Sequence, residues 1–245
     1  KMHADEIDVD AALVHHLLTT QFPHHAHLPL SPVSSSGTDH ALYRLGEEMV
    51  VRLPRIHWAT EQAELEARWL PRLAPQLPLA MPQQLAMGEP GARYPYRWAI
   101  YRWLAGTNAA GNPAADTIQT AADLAHFIRA LQNIDPSDGP RPDPNGGRGA
   151  PLISRDAATR RAIAESRGLV NTDAVTAAWE AALSALAHAG PPVWIHGDLE
   201  PGNLLLRDGR LSAVIDFCCL AVGDPAVDLI PAWSVFTGAA RAAFR

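Results

Sequence analysis

Apolar residues at Val9, Leu13, Leu17 and Leu18 recur at near-helical spacing and predict a short opening helix over residues 8 to 20. The period then changes. Ala41-Leu42-Tyr43-Arg44-Leu45 and Met49-Val50-Val51-Arg52-Leu53 are short apolar runs parted by Gly46-Glu47-Glu48, the pattern of two strands and a tight turn. Residues 60 to 73 set Ala63, Leu65, Ala67, Trp69, Leu70 and Leu73 among charged side chains and stop before Pro75 and Pro78, as one helix does. Trp98 to Leu104 reads as a further strand and ends at Ala105-Gly106, where a boundary is expected between residues 1 to 104 and 105 to 245. Beyond it the apolar positions suit helices over residues 116 to 133, 155 to 167 and 172 to 188, and residues 136 to 149, crowded with proline and glycine, form a loop. Strands first and helices afterwards give an α+β class.

Composition narrows the function. With 245 residues and 47% hydrophobic side chains the chain can bury a sizeable core. A net charge of -6 excludes the basic footprint that neutralises nucleic-acid phosphates and favours a cationic small partner. No apolar run approaches the ~20 residues that span a bilayer, and the first residues show no charged-then-apolar signal pattern, so a cytoplasmic location without a membrane partner is expected. Cys218 and Cys219 are adjacent and cannot build a disulfide framework; they read as free thiols. His15, His16, His24, His25 and His27 have neither cysteine nor metal-binding spacing beside them and read as a solvated turn.

The chemistry concentrates in residues 193 to 217. Asp208-Gly209 between two apolar runs is a two-residue hairpin signal, because both residues tolerate the positive φ of a type I′ turn. A regular register from that turn sets Arg207 opposite Arg210, Leu205 opposite Ser212 and Asn203 opposite Val214. Alternation along the strands then brings Asn203 and Asp216 to one face at the open end. An amide oxygen and a carboxylate together are the sparse oxygen donors that nucleotide-bound Mg²⁺ takes, and Asp198, on a loop bearing glycine and proline, is placed to accept a hydroxyl proton.

His196-Gly197-Asp198, Asn203 and Ile215-Asp216-Phe217 together resemble the catalytic and metal-binding loops of the aminoglycoside phosphotransferase family, small-molecule kinases similar to protein kinases. The resemblance runs from about Ser31 to the end of the chain. It implies a two-lobed, protein-kinase-like fold with a small β-rich N-terminal lobe and a larger, mainly helical C-terminal lobe. On its scheme Asp198 is the catalytic base and Asn203 and Asp216 hold Mg²⁺. Gly37 belongs to the loop covering the nucleotide, Arg52 stands for the kinase lysine, Glu66 pairs with it, and the backbone near Arg102 and Leu104 binds adenine. Gly223-Asp224-Pro225 reads as a helix cap and Asp228 as a brace for the catalytic region. Cys218 stands where protein kinases carry a glycine and reads as a small buried thiol; Glu200 stands where they carry a lysine and reads as exposed. Relatives continue with further C-terminal helices that line the substrate pocket, so the chain is expected to be incomplete at that end.

The implied function is transfer of the γ-phosphoryl group of ATP, or of GTP, to a hydroxyl of a small molecule, with a cationic aminoglycoside as the leading acceptor. A kinase of another hydroxylated metabolite or a macrolide is the alternative within the class. A catalytically weak nucleotide-binding module is the alternative outside it, and the presence of Asp198, Asn203 and Asp216 together argues against that.

Overall fold

The computed structural model describes residues 6–34, 39–186 and 188–245. Asp10 opens helix α1 (Ala11–Gln21) by accepting a hydrogen bond from the Leu13 amide at 2.8 Å, which satisfies a donor that the first turn leaves free. Its buried side chains Val14, Leu17 and Leu18 lie on one face of a five-stranded antiparallel sheet in the order β1-β2-β3-β5-β4. The strands are β1 (Leu30–Pro32), β2 (His40–Leu45), β3 (Met49–Pro54), β4 (Gln84–Gly88) and β5 (Trp98–Arg102).

Period-two alternation divides the work of this sheet. Val51 and Leu53 of β3, with Trp98 and Ile100 of β5, point to the face covered by α1. Arg52, Ala99 and Tyr101 therefore project from the other face, where α2 (Gln62–Leu73) lies with Ala63 packed against Ala99 and Tyr101. The strand expected over residues 98 to 104 ends at Arg102, because the Trp103 amide turns to the Glu48 carbonyl at 2.7 Å.

The chain then builds a helical part around a large core. Thr117 caps α3 (Ile118–Gln132), whose Leu124, Phe127, Ile128 and Leu131 repeat at the spacing of one buried face. They meet two small ribbons: β6 (Thr107–Asn108) with β8 (Leu204–Arg207) and β9 (Arg210–Val214), and β7 (Val193–Ile195) with β10 (Ala221–Gly223). The short α6 (Pro231–Ser234) and α7 (Gly238–Phe244) close this core with Phe236 and Phe244. Between α3 and β7, α4 (Asp156–Glu165) and α5 (Thr172–Ser184) form a peripheral pair, and α5 has no buried residue.

Asp208 and Gly209 have φ of 52° and 75°, as the type I′ turn requires. The register beyond them departs from the regular one expected. Leu205 lies opposite Ala213 and Leu204 opposite Val214, because β9 carries a bulge that leaves Ser212 without a cross-strand partner. The cause is a third segment: Ala80 bonds with its amide to the Ser212 carbonyl at 3.1 Å and accepts from Val214 at 3.0 Å. The Ser212 hydroxyl donates to the Leu205 carbonyl at 3.0 Å, so the bulge loses little.

Candidate active site

The bulge shift places Asn203 across from Ile215, whose amide donates to the Asn203 carbonyl at 2.9 Å. Simple alternation would then send Asn203 and Asp216 to opposite faces. Both nevertheless line one cleft, because the strands have ended: Asn203 closes a 3₁₀ turn (Pro201–Asn203), and Asp216 has φ of 65°. An aspartate with positive φ is uncommon, and here it reverses the direction of the side chain. Their place in one cleft therefore has a cause other than the expected strand register.

The cleft, of about 790 Å³, lies between the inner face of the sheet and the β8-β9 ribbon. Leu42 and Val50 line it from the sheet, and Leu205 and Ile215 from the ribbon, so an apolar slot opens toward Leu104. Deeper in, Arg52 reaches Glu66 with Nη1 at 3.2 Å and Asp216 Oδ1 with Nη2 at 2.8 Å. The buried Glu66 carboxylate also accepts from Tyr101 Oη at 2.6 Å, Gln62 Nε2 at 3.0 Å and the Phe217 amide at 3.3 Å. This many donors offset the loss of water around a buried carboxylate. Burial pushes the Asp216 carboxyl up, but the Arg52 guanidinium and the Gln62 amide beside it outweigh burial and hold it well below the usual carboxylate range. Burial, and after it Arg52, keeps the His40 imidazole neutral at the same wall.

The second half of the site is the loop from His196 to Asn203. Asp228, fully buried, accepts from the His196 and Gly197 amides at 2.8 Å each and so braces the loop. Burial raises its carboxyl to about 6 against those two bonds. The buried His196 ring is held neutral, its value lowered to about 4, and receives the Asp198 amide on Nδ1 at 3.1 Å. Nε2 is thereby the protonated nitrogen and donates to the Ile215 carbonyl at 3.1 Å. Gly197 has φ of 80°, and a Cβ there would stand 2.7 Å from the Cys219 carbonyl oxygen. No other residue fits without displacing the loop.

Asn203 Nδ2 donates to the Asp198 carbonyl at 2.8 Å and to its Oδ2 at 3.1 Å. Two acceptors around that nitrogen fix the amide orientation and leave Asn203 Oδ1 as the open acceptor. Asp216, tied at Oδ1, keeps Oδ2 for a ligand. One amide oxygen and one carboxylate oxygen, facing a cleft wide enough for phosphates, suit a Mg²⁺ ion that keeps water and phosphate oxygens in its shell. Among the described residues no group of three or more His, Cys, Asp or Glu side chains stands ready as an all-protein metal cage. Burial raises the Asp198 carboxyl, and Arg148, whose Nη2 lies 2.9 Å from Asp198 Oδ1, partly counters the rise.

The residues singled out by sequence thus fall into three groups. Arg52, Glu66, Asp198, Asn203 and Asp216 meet around one cleft. Arg102 and Leu104 line its rim, but the Arg102 amide is bonded to the Gln83 carbonyl at 2.9 Å, whereas no described residue accepts from the Leu104 amide. Gly37 lies outside the described residues. Two side chains differ from expectation. Cys218 is exposed and lines the cleft instead of being buried, since the turn at Asp216 sends Phe217 inward against the His196 ring, with centroids 4.4 Å apart. Glu200 is half-buried on the cleft wall. Gln62, Tyr101 and Arg148 were not foreseen. Gln62 sits one helical turn before Glu66, a spacing that signals a shared face, whereas Tyr101 and Arg148 reach the site through tertiary contacts that leave no local signal.

A model of the phosphotransferase enzyme family matches residues 30–245. Among solved structures, the GDP and kanamycin complex of APH(2")-IIIa matches with a TM-score of 0.77 at 19% identity, covering 94% of this chain and 80% of that one. The macrolide 2'-phosphotransferase MphH from Brachybacterium faecium, as apoenzyme, matches with a TM-score of 0.67 at 25% identity, with coverage of 94% and 80%. The streptomycin-ATP-APH(2")-IIa ternary complex matches with a TM-score of 0.59 at 20% identity, with coverage of 91% and 75%. A search of curated protein sequences finds no match. The fold shared with these structures is the two-lobed, kinase-like one.

Proposed function

Because the chain belongs to the phosphotransferase enzyme family, we propose that it moves the terminal phosphoryl group of ATP, or of GTP, onto a hydroxyl of a small molecule, with an aminoglycoside as the leading acceptor. One observation carries the reading: Asp198, Asn203 and Asp216 share a single cleft with the Arg52–Glu66 pair.

The geometry supports the following division of labour. Leu42 and Val50 above, with Leu205 and Ile215 below, form an apolar slot that suits a purine, and the Leu104 amide, for which no described residue is an acceptor, can meet its edge. Arg52, fixed by Glu66 and Asp216, presents a rigid positive charge to phosphates without reorganising when they arrive. Asn203 Oδ1 and Asp216 Oδ2 would hold Mg²⁺, which would supply charge to offset the phosphate oxygens. Asp198 takes the proton of the acceptor hydroxyl, and the bonds from Asn203 keep its carboxylate in one orientation. His196 and Asp228 touch neither substrate and serve to position the loop that carries Asp198.

The acceptor class rests on three supports: structures of relatives with kanamycin, gentamicin or streptomycin, the net charge of -6, and the half-buried Glu200 on the cleft wall. The macrolide phosphotransferase at 25% identity favours a macrolide as the second reading. The test is nucleoside diphosphate release with MgATP against kanamycin, a macrolide and a neutral polyol at low and high salt. A cationic acceptor held by carboxylates should lose affinity as salt shortens the Debye length toward ~8 Å and below, whereas the polyol should not. Turnover of the polyol with none of kanamycin would overturn the acceptor and leave the kinase standing.

A further inference from the structure

Arg148 belongs to the loop of residues 136–149, which is fastened rather than loose. The Val222 amide bonds to the Pro140 carbonyl at 2.7 Å, the Asp224 amide to the Gly149 carbonyl at 3.0 Å, and Arg155 Nε to the Gly146 carbonyl at 2.6 Å. A Cβ at Gly139 would stand 2.2 Å from Val222 Cγ2, and one at Gly149 would stand 2.3 Å from Ile195 Cδ1. The loop is therefore a strap pressed onto the β7-β10 ribbon, and it carries the Arg148 guanidinium to Asp198.

The pair it makes there is incomplete. Arg148 Nη2 lies 2.9 Å from Asp198 Oδ1, yet Oδ1 receives no aligned hydrogen bond and has almost no surface open to solvent. Asp198 Oδ2 is already taken by Asn203, so Oδ1 is the oxygen left for an acceptor hydroxyl. A hydroxyl that bonds to Oδ1 displaces the guanidinium. The displaced guanidinium, still beside the cleft, is then available to an arriving anion.

We propose that Arg148 is a second catalytic residue: it leaves Asp198 as the acceptor binds and holds the phosphoryl group as that group reaches the hydroxyl. The inference rests on the phosphotransferase reading. In the transfer, the bond between the terminal phosphorus and the bridging oxygen breaks and its electron pair leaves on the nucleoside diphosphate. The bond from the acceptor oxygen to phosphorus forms, and the hydroxyl proton passes to Asp198 Oδ1. Arg148 gives up no proton; it contributes charge-assisted hydrogen bonds to the equatorial oxygens. That charge is required because Asp198, Asp216 and Glu200 all face the cleft. Arg52 is held by Glu66 and Asp216, and Arg102 by Gln83, while the Arg148 side chain is 38% exposed and can move.

The test reads binding rather than turnover. With saturating kanamycin present, or whichever test acceptor the wild type phosphorylates, MgADP is titrated with and without aluminium fluoride, which mimics a phosphoryl group in flight, into the wild-type protein and the R148Q and R148K variants. In the wild type the fluoride should tighten MgADP by ~10-fold or more. R148Q should bind MgADP alone as the wild type does and lose that tightening, while R148K, which keeps the charge without the fork, should keep part of it. Transfer to kanamycin by R148Q should fall by ~100-fold. Unchanged tightening in R148Q, or no tightening in a wild type that binds MgADP, overturns the proposal. A wild type that does not bind MgADP overturns the phosphotransferase reading instead. If R148Q loses MgADP affinity through disturbance of the strap, R148M, which keeps the aliphatic stem, carries the same comparison.

Discussion

Asp198 carries the sharpest single-residue expectation. On the proposed reading its carboxylate takes the acceptor proton and meets the metal site through Asn203, so D198N should lower turnover by at least ~100-fold and leave MgATP affinity within a few-fold of wild type. Turnover and equilibrium binding measured on the same preparation check it, and undiminished turnover removes Asp198 from the mechanism. His196 gives a prediction about pH. Its folded-state value is lowered to about 4 by burial, so between there and the usual histidine value the unfolded chain binds the extra proton. The stabilisation is fully present above about pH 6.5 and is lost as pH falls toward 4. Asp228 has the opposite sign: its value is raised to about 6, and its contribution is present at low pH and lost as pH rises through 6. The wild type alone therefore shows little net slope from these two groups. H196N removes one of them, so the stability difference between wild type and variant should shrink by about 2 kcal/mol from pH 7 to pH 5, read by urea unfolding. A constant difference would mean that His196 titrates normally in the fold.

At the scale of elements, the strap makes the next expectation. Gly149 has φ of 80° and no room for a Cβ beside Ile195, so G149A should cost about 2 kcal/mol or more and make residues 136–149 accessible to protease. Thermal melting and limited proteolysis read the two effects, and a variant as stable and resistant as wild type would show that the strap is loosely held. Elements with strong local signals were legible in the sequence. The α1, α2 and α3 periodicities and the Asp208-Gly209 turn placed their elements within a few residues of where they lie. β4 and the β7-β10 ribbon were not found, because β4 mixes polar and apolar residues and the three-residue β7 and β10 are too short to show a period, so all are specified by their partners. The β8-β9 register failed for the same kind of reason. The bulge at Ser212 answers Ala80, far away in the chain, and a hairpin read from its turn alone cannot contain it. The site residues of the Asp198 loop were legible because their spacing is local. Arg148 was hidden in a loop whose prolines and glycines signalled only the absence of regular structure.

At the scale of the molecule, the Arg52–Asp216 pair ties the two sides of the cleft together through residues 164 apart in sequence. Nucleotide bound there touches both sides at once and should stabilise the whole chain. At a hundred times its dissociation constant, MgATP should add about 2.7 kcal/mol, seen as a rise of several degrees in melting temperature. D216N should abolish most of that rise, since it weakens both the bridge and the metal donor set. An equal rise in D216N and wild type would place the nucleotide elsewhere.

The same long bridge sets an order of events during synthesis. The sheet and α1 are complete in sequence once Arg102 has left the ribosome, and at ~5–20 residues per second Asp216 follows several seconds later. During that interval Arg52 and Glu66 have each other, but Leu42 and Val50 face an open space where Leu205 and Ile215 will later stand. The nascent first half thus displays a greasy, unpaired surface that the folded chain covers with the wall of the cleft, and chaperones on the emerging chain would meet the proposed purine slot as their binding site.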